Sequence, residues 1–362
     1  MKVDSQRRRF VLILVAGISL LAALWTGMVR LGWSLPVPAE RFPSLHGPLM
    51  ITGFLGTLIG LERAVALDRY WSYGVPIFTA IATLAMVAGL PLPIGALFAA
   101  MGSLLLTAVF VSLYRRYPSE HFITMSLSAL SWFLGNLLWL SGAPLYKIAP
   151  WWTGFLVLMI AGERLELSRV LRLSYRSRIL FFLANGLVLF GFGLSLVAME
   201  NAIRLSGLGI VSLSLWLVRY DIAWRNAGRS GLPRFMAVAL LLGYLWLGFG
   251  GFLWTVYADS FTAGPEYDAM LHAIFLGFVF SMIFAHAPII FPSITGIMIP
   301  FRNSFYLHLA LLHVSLVLRI FGDFQETVAL RQWGGLFNVV AIMFFLANNL
   351  WSAIHAGAPK NP

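Results

Sequence analysis

The stretch Ala269–Pro292 reads AMLHAIFLGFVFSMIFAHAPIIFP, an apolar run long enough to cross a lipid bilayer as a helix. It contains two histidines, His272 and His286. An imidazole inside a bilayer is costly unless it pairs, binds a metal or lines a wet cavity, so each histidine is a candidate functional residue. The stretch therefore predicts a membrane span with chemistry at two positions.

The composition extends this prediction to the whole chain of 362 residues, of which 60% are hydrophobic and 11% charged, with mean hydropathy +0.85. Such values are typical of a polytopic membrane protein. The chain has no cysteine, which excludes disulfides, thiolate metal sites, iron–sulfur clusters and cysteine nucleophiles. Its net charge of +11 is best explained by membrane topology and contact with membrane lipid, and we expect no nucleic-acid binding.

Apolar segments of spanning length recur along the sequence and predict an all-α membrane protein with about twelve transmembrane helices. The loops between them are short, so we expect a single integral membrane domain over residues 1–362. Arginines concentrate in alternate loops, and the positive-inside rule then places both termini in the cytoplasm. The predicted spans are 10–29, 45–67, 73–90, 93–114, 121–140, 150–171, 178–199, 203–220, 234–257, 269–291, 304–321 and 333–355.

A short pattern, G-F-L-x6-E-R, occurs in the second span at Gly53–Arg63 and again in the sixth at Gly154–Arg164. The tenth span has Gly277-Phe278, with His286 where the other two have glutamate. Recurrence every four helices predicts three pseudo-repeated four-helix units, and chance is the alternative because Gly-Phe is common in membrane helices. The predicted units are 1–117, 118–228 and 229–362.

The second and tenth spans each begin with a histidine on the predicted outer side, His46 and His272. On the second span, Met50 and Gly53 share a helix face with His46, at which a flat group could rest. Two imidazoles on different helices suit the axial positions of a haem b. The alternative is that each histidine lies at the headgroup boundary and hydrogen bonds with water or a carbonyl.

A second level, on the predicted inner side, holds His286, His308 and His313. His286 ends one span and His308 begins the next, so the two can meet and bind copper or a second haem. His308 and His313 diverge by about 140° around their helix, so both cannot face one small ion unaided. A hydrogen-bonded histidine pair or a proton relay is the alternative.

Charged residues also occur near the inner boundary, in the pairs Glu62-Arg63 and Glu163-Arg164. Intramembrane charges normally pair, so ion pairs between helices are one interpretation. A proton relay through Glu62 and Glu163 is the other.

The segment LHAIFLGF at residues 271–278, together with the helix count, resembles the NnrS family of bacterial inner-membrane proteins. That resemblance implies haem and copper, and a part in the response to nitric oxide. The layout is also similar to subunit I of haem–copper oxidases, whose twelve helices form three arcs of four with haem ligands on helices two and ten. His46 and His272 match that placement.

Two departures limit the resemblance. The oxidase subunit has copper-ligating histidines on and after helix six, whereas this chain offers Glu163 there and no histidine between His121 and His272. The His286-Ala287-Pro288 segment does not match the NnrS ending.

We therefore expect an inner-membrane haem protein in nitric oxide metabolism or intramembrane electron transfer. Its partners would be NO or O2 and a quinol or periplasmic electron donor, and whether it is an oxidoreductase stays open. The alternative is a cofactor-free transporter or assembly factor that uses intramembrane His and Glu for gating or proton relay.

Overall fold

A computed structural model describes residues 2–356, with side chains from Arg8 onward. All regular structure within that range is helical, and twelve of its helices are long and apolar enough to cross a membrane, which confirms the predicted fold class. We number these α1 to α12. Their bounds are Arg8–Arg30, Phe42–Leu67, Tyr70–Val87, Leu92–Arg116, Glu120–Leu140, Leu145–Leu171, Tyr175–Leu194, Met199–Tyr220, Leu232–Val256, Pro265–Thr295, Phe305–Phe324 and Val328–Ile354.

Proline and glycine mark several helix ends. Pro233 and Pro265 lie in the first turns of α9 and α10, where a missing backbone N–H costs nothing. Gly142 and Gly296 follow α5 and α10 with φ of +80° and +76°. Both values lie in the left-handed region that glycine adopts without strain, so these residues stop the helices sharply.

The helices group into two compact units, Met1–Glu163 and Arg164–Pro362. The division falls within α6, between the Glu163 and Arg164 of the sequence repeat. The three four-helix units remain a prediction from the repeat. We call the two groups unit 1 and unit 2 and describe each by itself.

In unit 1, α4, α5 and α6 are joined by a buried polar group. The Asn136 side-chain amide donates to the Ser103 hydroxyl at 3.0 Å, and the Trp152 indole N–H donates to the Asn136 oxygen at 3.0 Å. Hydrogen bonds between side chains are a common link between membrane helices, since lipid offers no competing partner. They fix the register of these three helices.

In unit 2, small residues allow α8 and α9 to approach closely. A Cβ at Gly207 would lie 2.6 Å from the Gly251 carbonyl oxygen, and one at Gly251 would lie 2.8 Å from the Gly207 oxygen. Close backbone contact between small residues is the usual way to pack membrane helices. Ser315 and Asn338 also share a hydrogen bond of 2.7 Å between α11 and α12.

Two spans depart from ideal α-helix geometry. In α2 the residues Leu49–Gly56, and in α10 the residues Ala273–Phe280, form π-helical segments of eight residues each. A serine hydroxyl bonds a carbonyl in each segment: Ser19 donates to Leu49 at 2.9 Å and Ser281 donates to Gly277 at 2.6 Å. The sequence pattern predicted ordinary helices here. π-helical geometry is rare and frequently occurs at functional sites.

Candidate functional site

His46 lies three residues before the π segment of α2. Its Nδ1 is 2.8 Å from the carbonyl oxygen of Ala23 in α1. A carbonyl only accepts hydrogen bonds, so Nδ1 carries the proton and Nε2 carries the lone pair. Gly27 of α1 makes room for the ring, since a Cβ there would lie 3.0 Å from two imidazole atoms. Helix α1 thus fixes both the tautomer and the position of this imidazole.

His272 lies directly before the π segment of α10. Its Nδ1 is 2.9 Å from the Asp268 backbone carbonyl and 3.2 Å from the Asp268 carboxylate. Arg319 of α11 donates to both oxygens of that carboxylate, from Nε and Nη2, at 2.8 Å each. A carboxylate against the second nitrogen is the usual support of a metal-binding histidine, because it fixes the tautomer and raises ligand basicity.

His46 and His272 therefore share two features: Nε2 is the acceptor nitrogen, and a π segment follows. The tautomer of each is the one that an axial haem ligand requires, so each imidazole by itself is suited to ligation, and a haem held by both stays a prediction. The tautomer alone does not distinguish them, because His355, just after α12, makes the same kind of bond, from Nδ1 to the Trp351 carbonyl at 2.9 Å. What distinguishes His46 and His272 from His355 is their position just before a π segment.

His286 donates from Nδ1 to the Met282 carbonyl at 2.8 Å, but its Nε2 faces the Nη1 atom of Arg164 at 3.4 Å. A guanidinium group is always charged and only donates, so the imidazole lone pair is directed at a cation. A metal ion at that nitrogen would have to displace the guanidinium group. The structure thus places this predicted ligand in an ion-pair cluster.

The centre of that cluster is Asp221, at the end of α8. It receives Arg164 Nε and Nη2 at 2.8 Å each and the Ala223 backbone N–H at 2.8 Å. The Ser168 hydroxyl adds a longer bond of 3.3 Å, and the fully buried Tyr244 hydroxyl lies beside the pair. Buried ion pairs persist only when several hydrogen bonds offset their desolvation, and this pair has them.

His308 is completely buried in unit 2. The Asn348 amide, whose oxygen accepts from Ser304, donates to His308 Nδ1 at 3.3 Å, which leaves the proton on Nε2. That N–H has no hydrogen-bond partner among the described residues and lies among phenyl rings, whose faces accept such groups weakly. Five ring centroids are 4.9 to 6.2 Å from the imidazole: those of Phe235, Phe284, Phe305, Phe344 and Phe345.

His313 has the same tautomer as His308, because the Trp246 indole N–H donates to its Nδ1 at 2.9 Å. The lone pair of each of these histidines is already used, so neither offers a nitrogen to a metal in this arrangement. Across the described residues, no three metal-ligating side chains come together as a metal-binding group. The copper or second-haem site predicted at His286, His308 and His313 stays a prediction from the sequence.

The helix face predicted around Gly53 is filled by neighbouring helices of unit 1. A Cβ at Gly53 would lie 2.0 Å from the Ser19 hydroxyl of α1 and 2.6 Å from the Thr83 hydroxyl of α3. Helix packing explains this glycine, and no surface remains at Gly53 on which a flat group could rest. Met50, three residues earlier, is half-buried.

Glu62 and Glu163 both meet the guanidinium group of Arg63. Glu62 lies 3.4 Å from Arg63 Nη2, and Glu163 forms a closer ion pair with the same atom. These contacts agree with one of the two interpretations of the sequence, in which the intramembrane charges form ion pairs. The proton relay through the two glutamates stays a prediction.

Further charged residues lie beyond the Asp268–Arg319 pair, toward the end of α11. Asp323 has a fully buried carboxylate 3.9 Å from Arg331 Nε of α12. A cavity of about 380 Å³ opens beside them and is lined by Pro265, Glu266, Gly322, Glu326, Thr327, Val328 and Arg331. The sequence analysis did not single out these groups. The spacing of Asp268 and His272, four residues apart on one helix, was a usable signal.

A comparison with protein families adds one result. The family described as "Domain of unknown function (DUF8744)" matches residues 9–354, which is nearly the whole chain, so the chain belongs to this family. The search of curated proteins finds no match.

Proposed function

We propose that this membrane protein binds haem b, with the Nε2 atoms of His46 and His272 as axial ligands. Its place would be the bacterial inner membrane, with both termini in the cytoplasm, as the distribution of arginines predicts. Its activity would be electron transfer within the bilayer or nitric oxide metabolism.

The observation that carries this proposal is the hydrogen bonding of the two histidines. Nδ1–H of His46 is held by the Ala23 carbonyl, and Nδ1–H of His272 is held by Asp268, which Arg319 secures in turn. Each of these bonds fixes the direction of its ring and leaves the lone pair of the neutral imidazole on Nε2. Fixed direction and tautomer are what a protein must supply to a haem iron.

The bound group would supply one-electron chemistry, tuned by its axial ligands and their hydrogen bonds. The chain itself would orient the imidazoles and exclude water. Asp268 would make the His272 imidazole more electron-donating than His46, whose partner is a neutral carbonyl. The two ligands would therefore be inequivalent in basicity.

The test is to express the protein with adequate haem supply and purify it in mild detergent. We would record its reduced-minus-oxidised spectrum and its iron content. A low-spin haem signal with stoichiometric iron is expected, and the double variant His46→Ala/His272→Ala should lack both. The variant also serves as the control for adventitious haem. Haem-free wild-type protein, or equal haem in the double variant, would overturn the proposal.

A second candidate is a cofactor-free transporter, favoured by the buried Arg164–Asp221 pair with Tyr244 beside it. Buried charged pairs in polytopic membrane proteins often mark a transport or proton pathway. Under this function, wild-type protein contains no haem, and Asp221→Asn abolishes solute or proton flux in proteoliposomes. The same spectrum therefore decides between the two candidates.

A further inference from the structure

Eight arginines are exposed at one end of unit 2. They lie in two connecting segments with the adjoining helix ends, residues 169–178 between α6 and α7 and residues 219–234 between α8 and α9. We call them the arginine surface: Arg169, Arg172, Arg176, Arg178, Arg219, Arg225, Arg229 and Arg234. Neither segment contains a lysine. The acidic residue within them is Asp221, which is buried.

The two segments meet in space, so these charges belong to one surface. The Ser168 hydroxyl and the Arg164 guanidinium group both bond Asp221, which joins the end of α6 to the end of α8. The Trp216 indole N–H donates to the Ser177 carbonyl at 2.7 Å, which joins α8 to the start of α7.

Asp221 also orders part of the surface itself. It accepts the Ala223 N–H, and this bond holds the short helix Ala223–Ala227 directly after α8. The Trp224 indole N–H donates to the Val218 carbonyl. Arg225 therefore projects from a fixed helix and not from a loose loop.

Large apolar side chains are exposed among the arginines. Trp224 is 57% exposed, Tyr175 is 71% exposed and Val170 is 74% exposed. Aromatic rings interleaved with cationic groups at helix ends are typical of the boundary between lipid and water. In a chain with twelve apolar helices, this end of unit 2 has the composition of a headgroup-facing surface.

We propose that the arginine surface binds the phosphate groups of anionic phospholipids. Arginine matches phosphate through a planar fork that forms two parallel hydrogen bonds, which lysine cannot do. Clustered positive charge next to exposed aromatic rings favours a lipid headgroup over a soluble anion, since the rings gain from insertion beside acyl chains. This binding is independent of the proposed haem.

The test compares lipid retained by the purified full-length protein from mixed phosphatidylglycerol and phosphatidylcholine, counted by native mass spectrometry. Wild-type protein should retain phosphatidylglycerol preferentially. The variant Arg225→Gln/Arg229→Gln should lose that preference by about fivefold for each arginine. The variant Arg225→Lys/Arg229→Lys, which keeps the charge, should recover it only in part.

The matched control is Arg115→Gln/Arg116→Gln, which removes the same charge from exposed residues at the end of α4 in unit 1. It should leave the preference unchanged. Equal loss in both variants would mean that net charge alone attracts the lipid, and this would overturn the proposal. No preference in the wild type, or tighter binding of a soluble polyanion than of phosphatidylglycerol, would also overturn it.

Discussion

His46 and His272 differ from His308 and His313 in which ring nitrogen keeps the lone pair. In the first pair Nδ1–H donates to a carbonyl or carboxylate oxygen, and in the second Nδ1 accepts from an amide or indole N–H. The sequence presents all four as histidines in apolar helices. Their partners make the first pair suited to ligate iron and the second suited to hold helices together.

The largest expected effect comes from removing one imidazole at a time. His46→Ala and His272→Ala should each abolish the low-spin haem spectrum, because a six-coordinate low-spin iron needs both ligands. His308→Ala should keep it. His355→Ala is the matched control, since that residue is also half-buried and has the same Nδ1 bond but lies just after the end of α12, away from any π segment. Loss of the signal only in His308→Ala would reverse the comparison.

A smaller effect is expected from Asp268→Asn, which weakens the support of His272 without touching the ring. Removal of such a carboxylate typically lowers metal affinity by about 10- to 100-fold. We expect that loss in a haem titration of the apoprotein. Asp259→Asn, at an exposed residue three positions after the end of α9, is the control and should leave haem affinity unchanged. Equal affinity in both variants would show that Asp268 serves only its pair with Arg319.

The smallest effect is expected from Trp246→Phe. This change leaves the His313 Nδ1 acceptor without its donor in a mostly apolar setting, and should lower the free energy of unfolding by about 1–3 kcal/mol. The haem spectrum should not change. Thermal unfolding in detergent measures the first effect, with the exposed Trp71→Phe as the control. A changed haem spectrum would mean that His313 belongs to the cofactor site.

The fold was largely predictable, because span length and hydropathy alone identify twelve helices. The hydrogen-bond partners of the histidines were not. The partner of His46 lies 23 residues away on another helix, and Asp268 and Arg319 are 51 residues apart. Such contacts depend on how helices pack, which no periodicity in the sequence encodes. Gly53 shows the same limit, since its neighbours Ser19 and Thr83 come from two other helices.

The π segments change how α2 and α10 must be indexed. A π turn closes its hydrogen bonds one residue later than an α turn, so it acts as an insertion absorbed within the helix. A helical wheel drawn through Ala273–Phe280 at 100° per residue therefore misplaces whatever follows, and the shared face it assigns to His272 and His286 does not hold. The residues before and after each π segment must therefore be placed on separate helical wheels. A single deletion inside Leu49–Gly56 should therefore restore ordinary α-helix there, and leave both Gly60 against Val75 and His46 in place.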